Sequence, residues 1–282
     1  MENTIRRAAE LLKQADAILV GGGSGLSSAA GYNHYHNDSM YREHFQEFDD
    51  KYGIKYLMKG FYYVYSKPEQ QWGFYCKYID FMRKAPAGEP YLNLKKCLDG
   101  KKYHILTTNV DGQFSKVFPE EKICCFQGDF RYFQCSQPCH DEIYDNQQYI
   151  EEMLTGMHDL EVPYDLIPRC PECGWKMVPW VQDDTFLRGT AWKESYQRYV
   201  DFLIENHDKK LVLLELGVGD MTPSIIQLPF WDIAAKNPDT YLINVTLDKT
   251  TPPLHLKGKI LNFIMDISDF LKELKAQMAL LT

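Results

Sequence analysis

Residues 20–32 read VGGGSGLSSAAGY. The apolar run Ala17–Val20 leads into glycines at positions 21, 22, 23 and 25, and a string of small residues able to open a helix follows. A buried strand, a tight turn and a helix N-terminus, in that order, bring backbone N–H groups up to a phosphate in α/β sheets. Glycine permits both the turn and the close approach. The spacing is not the usual dinucleotide fingerprint: from Gly21 and Gly23 the third glycine would fall on Leu26, and from Gly23 and Gly25 on Ser28. Nor does a P-loop lysine follow. The stretch supports a nucleotide site and leaves open a plain strand-to-helix turn.

Other nearly continuous apolar runs read as buried parallel strands: His104–Thr107, Ile123–Phe126, Leu211–Leu216, Tyr241–Val245 and Ile260–Ile264. Helical patterns cover 3–15, 88–99, 192–207, 224–236 and 267–280. Strand alternating with helix predicts a doubly wound α/β sheet. Two stretches break the rhythm. Residues 33–85 are crowded with aromatics and read as two to four inserted helices, either core or a pocket for an apolar acceptor arm. Residues 130–185 carry four cysteines and few strand-like runs. The layout is therefore a core of 1–32, 86–129 and 186–282, a helical insertion at 33–85 and a metal module at 130–185.

The chain has 282 residues, 45% apolar and 25% charged, with net charge -8, enough for one large core plus a satellite module. The negative balance argues against nucleic acid as the main partner. The N-terminus has an amphipathic pattern without a signal-peptide apolar region, and no run is long enough to span a membrane, so a cytoplasmic location is expected. Cysteines are then read as metal ligands before disulfides. Cys135, Cys139, Cys170 and Cys173 form two close pairs that predict a closed tetrahedral, structural zinc site. His140 is an awkward alternative ligand beside Cys139. Cys76, Cys97, Cys124 and Cys125 sit in apolar runs and read as inert buried thiols. The acidic stretch 141–165 reads as a solvated face.

Polar or glycine-containing segments follow three further strands: Thr108-Asn109-Val110-Asp111, Gln127-Gly128-Asp129 and Gly217-Val218-Gly219-Asp220. Ligands in open α/β sheets bind at such C-terminal strand ends, so these segments and the first loop predict one composite site. Asn109 could orient a ribose or an amide, and Asp111 could hold a sugar hydroxyl or a cationic ring. An Asx-type cap is the plain alternative.

In this order the motifs resemble those of sirtuins over nearly the whole chain. Gly23-Ser24-Gly25-Leu26-Ser27 stands where the family has Gly-Ala-Gly-Ile-Ser, Thr108–Asp111 where it has Gln-Asn-Ile-Asp, and Gly217-Val218-Gly219 where it has Gly-Thr-Ser. The resemblance implies a Rossmann-like sheet and consumption of NAD. Asn109 and Asp111 would sit by the nicotinamide ribose, Gly23, Ser24, Gly25 and Ser27 on the diphosphate side, and Gly217, Val218 and Gly219 by the adenosine half. Asn244 would reach the adenine ribose, with Asp248 competing. Two departures stand out. Deacylases of the family have His-Gly where this chain has Gln127-Gly128, and a neutral amide is no general base. The Gly-Ile-Pro-Asp-Phe-Arg segment is replaced by Gly31-Tyr32-Asn33-His34-Tyr35, with Tyr32 as the ring that would shield the reactive carbon. With Thr222-Pro223 and Pro229-Phe230-Trp231, these departures are similar to the macrodomain-linked class M sirtuins. That likeness implies a protein ADP-ribosyltransferase acting on a lipoylated glycine-cleavage-H-like carrier, opposed by a macrodomain hydrolase. The alternatives are a lysine deacylase using His34 or His36 as base, and an NAD-binding or NAD-hydrolysing sensor.

Overall fold

A computed structural model describes residues 2–248 and 251–281. The chain begins with α1 (Glu2–Gln14), β1 (Ala17–Gly22) and the short α2 (Ser24–Ala29). The aromatic insertion follows as α3 (Ser39–Tyr52), α4 (Leu57–Phe61) and α5 (Pro68–Lys84). Then come α6 (Glu89–Cys97), β2 (Tyr103–Thr107) and β3 (Ile123–Cys125). The cysteine-bearing part holds β4 (Gly128–Cys135), β5 (Tyr144–Asp145), α7 (Gln147–Gly156) and β6 (Met177–Val181). The chain returns through α8 (Thr190–Glu205), β7 (Leu211–Leu216), α9 (Gln227–Lys236), β8 (Thr240–Thr246), β9 (Ile260–Ile264) and α10 (Ile267–Leu280). Among the described residues, no helix is long and apolar enough to cross a membrane.

Six parallel strands form the main sheet in the order β3-β2-β1-β7-β8-β9. β1 is buried along its whole length because helices cover both faces. Alternate strand residues supply two cores. Ile18, Val20, Ile105, Leu214 and Ile243 face α1, α6 and α10. Leu19, Leu106, Leu213 and Leu242 face α8 and α9. The strand order reverses between β1 and β7, and there the C-terminal strand ends open a crevice.

A third core joins α3, α4 and α5 to the cysteine module. Tyr41, Phe45, Phe48, Trp72, Phe74 and Tyr78 are buried in it, so most of the insertion's aromatics serve packing. The module contains an antiparallel sheet, β5-β4-β6, which few sequence signals announced. β4 shifts register between Gly128 and Phe133, and that irregularity hides the two-residue alternation of a strand. Within the acidic stretch, α7 buries Ile150 and Met153 and exposes Glu151 and Glu152.

One residue contradicts its strand's apolar character. Glu215 lies in β7 between Gly21 and Asn244 on the neighbouring strands. It is fully buried, and neither carboxylate oxygen has a hydrogen-bond partner among the described residues. Burial pushes its carboxyl up to about 7 from 4.5. Between those values the unfolded chain ionises and the folded chain stays protonated. Stability is therefore full at low pH and lost as pH rises through this window. Glu215→Gln should match the parent at pH 4 and exceed it at pH 8 by up to about 3 kcal/mol. Chemical denaturation at both values checks this; equal stability at pH 8 would mean that the carboxylate is solvated or paired.

Candidate functional site

At the switch point two loops meet backbone to backbone. The N–H of Gly23 donates to Leu216 O at 3.0 Å and that of Gly25 to Gly217 O at 3.0 Å. A Cβ on Gly23 would come within 2.4 Å of Gly217 O, and one on Gly25 within 2.7 Å of Gly217 Cα. Gly217 has φ of +62°, and a Cβ there would fall 2.5 Å from Leu26 N. These glycines are needed for loop-to-loop contact, and all three of their amides are already engaged, that of Gly217 donating to Val245 O at 2.9 Å. Gly217→Ala should destabilise the fold by about 2–3 kcal/mol, measured by chemical denaturation. A loss under about 0.5 kcal/mol would show that the loops can separate.

In front of this contact lies a cavity of about 550 Å³. Gly23 and Ser24 line it from the first loop, Thr108, Asn109, Val110 and Asp111 from the end of β2, and Gln127 from the end of β3. Val218, Gly219, Met221 and Thr222 enter from the β7 loop. The insertion contributes His34, Tyr35, Tyr56, Met58, Lys59, Tyr62 and Tyr78, and the cysteine module Val181 and Gln182. The composite site read from the strand ends is thus assembled, and two inserted elements close it.

Asn109 ties the strand end to the glycine loop. Its Nδ2 donates to Gly23 O at 2.9 Å and to Ser27 Oγ at 3.1 Å. Ser27, fully buried behind the wall, donates to Asp111 Oδ2. Asp111 also accepts from Gln113 N–H at 3.0 Å and faces His34 Nε2 at 3.2 Å. Burial pushes the Asp111 carboxyl up, but the bonds from His34, Ser27 and the Gln113 amide outweigh it and hold the group below its usual value. It is an anion with a full set of donors.

Gln127 reaches the cavity because Gly128, at φ +91°, turns the chain sharply after it. A Cβ on Gly128 would strike Trp180 O at 2.0 Å. This glycine lets β4 start against β6.

Several expected site residues lie elsewhere. Tyr32 is buried against Phe81, and its hydroxyl donates to Pro86 O at 2.8 Å. It anchors the insertion and does not line the cavity. Asn244 sits inside β8, 2% exposed, with Nδ2 donating to Asn262 Oδ1 at 2.8 Å. Gly25 and Gly217 stand behind the wall. Of the two weighed histidines, His34 is buried at the site and His36 is exposed. Tyr78, on α5, was hidden among helical aromatics; no local signal separates it from its core neighbours. Among the described residues lining the cavity, Lys59 is the ammonium-bearing one, and it donates to Gly53 O at 2.8 Å.

The four cysteines converge, as their spacing predicted. The Sγ atoms of Cys135, Cys139, Cys170 and Cys173 lie within 4.8 Å of one another, with Cys135–Cys173 and Cys139–Cys170 each at 3.6 Å. Tetrahedral zinc–thiolate bonds of about 2.3 Å require sulfurs about 3.8 Å apart, so the donor set fits a closed structural zinc. His140 Nδ1 is 3.0 Å from Cys139 Sγ and its Nε2 contacts Tyr144 Oη at 2.7 Å, a supporting position. The other cysteines are unsuited to nucleophilic chemistry. Burial pushes the thiols of Cys76 and Cys97 to about 12 and that of Cys124 to about 11. A chelator should release one zinc per chain and unfold β4–β6, carrying away the Val181–Gln182 wall. Metal analysis with circular dichroism checks this; an unchanged spectrum after complete metal loss would contradict it.

No protein-family model matches the chain. It is 30% identical over 276 residues to a protein ADP-ribosyltransferase of Staphylococcus aureus, covering 93% of this chain and 85% of that one. A Fusarium oxysporum f. sp. cubense protein named "Probable bifunctional ADP-ribose hydrolase/ADP-ribosyltransferase" is 28% identical over 255 residues. That match covers 84% of this chain and 41% of the fungal protein. Among solved structures, Sir2Tm bound to a propionylated peptide aligns with a TM-score of 0.64 at 18% identity over 98% of both chains. A Sir2 complex with a p53 peptide and NAD+ aligns with a TM-score of 0.63 at 16% identity, over 97% of this chain and 98% of that one. These structural likenesses establish the sheet architecture and its inserted modules. Together with the Staphylococcus relative and the site's geometry, they lead to one conclusion: the chain belongs to the protein ADP-ribosyltransferases and has the fold of the Sir2 enzymes.

Proposed function

We propose that the cavity binds NAD, releases nicotinamide and transfers ADP-ribose to a side chain of a lipoylated, glycine-cleavage-H-like carrier protein. The observation that carries the transferase reading is Gln127 at the cavity wall beside Asn109 and Asp111. An amide orients a ribose by hydrogen bonds but takes no proton from it. Deacylation, which needs that proton removed after the first transfer, is thereby disfavoured. The first loop and the β7 loop would hold the dinucleotide, with Ser24, Thr108 and Thr222 supplying hydroxyls and no free cation among them. The Asp111 anion suits a site where positive charge develops on the departing sugar.

An apolar acceptor arm is supported by the apolar and aromatic part of the cavity lining, Tyr35, Tyr56, Met58, Tyr62 and Val181. A hydrolase acting in opposition is the expected partner, and the fungal relative's name joins both activities in one chain. The second reading, lysine deacylation, draws on His34, the one imidazole among the described residues that line the cavity.

Intact-mass spectrometry of a lipoylated carrier and an acetylated peptide, incubated together with the protein and NAD, separates the two. The carrier should gain one ADP-ribose and the peptide keep its acetyl group. Asn109→Ala should lower transfer by about 100-fold or more, since it frees the glycine loop and removes a ribose-orienting amide. Loss of acetyl with an unmodified carrier would overturn the reading.

A further inference from the structure

The cavity contains a chain of hydrogen-bond contacts, two of whose three members, Tyr78 and His34, lie outside the strand-end segments. Tyr78 Oη lies 2.8 Å from His34 Nδ1, and His34 Nε2 lies 3.2 Å from Asp111 Oδ2. All three residues line the cavity, at 1%, 7% and 4% exposure. Each belongs to a different element, so only the fold brings them together. Asp111 is an ionised acceptor, hence Nε2 carries the hydrogen of the neutral ring. Nδ1 then accepts the Tyr78 phenol proton. A carboxylate that orients an imidazole, which in turn polarises a hydroxyl, is the arrangement that activates nucleophiles on unrelated folds.

We propose that Tyr78–His34–Asp111 is the general base of the transfer reaction and takes the proton of the acceptor group, a different proton from the ribose hydroxyl proton that deacylation must remove beside Gln127. The proposal rests on the transferase reading. The acceptor group X–H approaches Tyr78 Oη. Its proton passes to that oxygen as the Tyr78 proton passes to His34 Nδ1. The X electron pair forms the bond to C1′ of the nicotinamide ribose. The C1′–N bond breaks, and its electron pair leaves with nicotinamide and neutralises the pyridinium. The imidazolium so formed lies against the Asp111 anion, and its proton returns to water by the reverse route after product leaves. Asp111 is fixed for this by Ser27 and the Gln113 amide. The ionisable groups facing His34 are Asp111 and Tyr78, with Tyr35, Tyr56, Tyr62 and Lys59 on the same wall. Lys59 donates to Gly53 O, and Asp111 is the charged group in direct contact with the ring.

The test measures NAD turnover from pH 5 to 9 with two acceptors in parallel, the lipoylated carrier by intact mass and water by ADP-ribose release. The parent's kcat should fall about tenfold per pH unit on an acid limb where the imidazole is protonated. His34→Gln should remove that limb and lower kcat about 100-fold, with KM for NAD within about threefold. Tyr78→Phe should lower kcat at least about tenfold. His34→Gly should be rescued by added imidazoles in order of their basicity, a response that a merely structural histidine would not give. An unmodified carrier with the parent protein would refute the acceptor, and the limb would then be read on ADP-ribose release. A limb retained in His34→Gln, or rescue that ignores basicity, would overturn the relay.

Discussion

The contact on which the rest depends is the backbone-to-backbone seat of Gly23 and Gly25 against Gly217. It joins the ends of β1 and β7, the two parallel strands between which the strand order reverses. No side chain fits between the loops, so their separation is set by peptide groups alone. The crevice in front inherits that fixed geometry. Asn109 completes the seat by bonding both Gly23 O and Ser27, which hands the position of the glycine loop on to the end of β2.

From that seat, polar contacts run inward in one continuous sequence. Asn109 holds Ser27, Ser27 and the Gln113 amide hold Asp111, and Asp111 holds His34 against Tyr78. Each member is buried or nearly so, where an unpaired polar group would be costly and a paired one is rigid. Such a network preorganises a site before any ligand arrives. It also explains why the helical insertion lines the cavity. The aromatic core that anchors Tyr78 and Tyr32 is what presses His34 onto the strand end.

Burial at the sheet acts differently on its two carboxylates. Asp111 is surrounded by donors and stays ionised, whereas Glu215, one residue before the β7 edge, has none among the described residues and is pushed toward neutrality. Both are shielded from water, so hydrogen-bond partners make the difference. The zinc module contributes structure only: its four thiolates leave no open coordination position, and its β6 carries Val181 to the cavity.

The sequence by itself determined the parallel strands, because strands covered on both faces are apolar at most positions, exceptions such as Glu215 and Asn244 notwithstanding. It also determined the zinc cluster, because two close cysteine pairs can converge without knowledge of the rest. The strand-end segments marked Asn109, Asp111 and Gln127 as neighbours, since parallel strands all end on one edge. Only the tertiary structure decided that Gly25 and Gly217 serve the seat, that Tyr32 packs inward and that Asn244 bonds Asn262. It alone chose His34 over His36 and drew Tyr78 from a helix of similar aromatics. The reason is one of range. Periodicity and ligand spacing are local and survive in the sequence. The direction in which a loop residue or one face of a helix points is fixed by packing against partners tens of residues away, and local spacing does not record it.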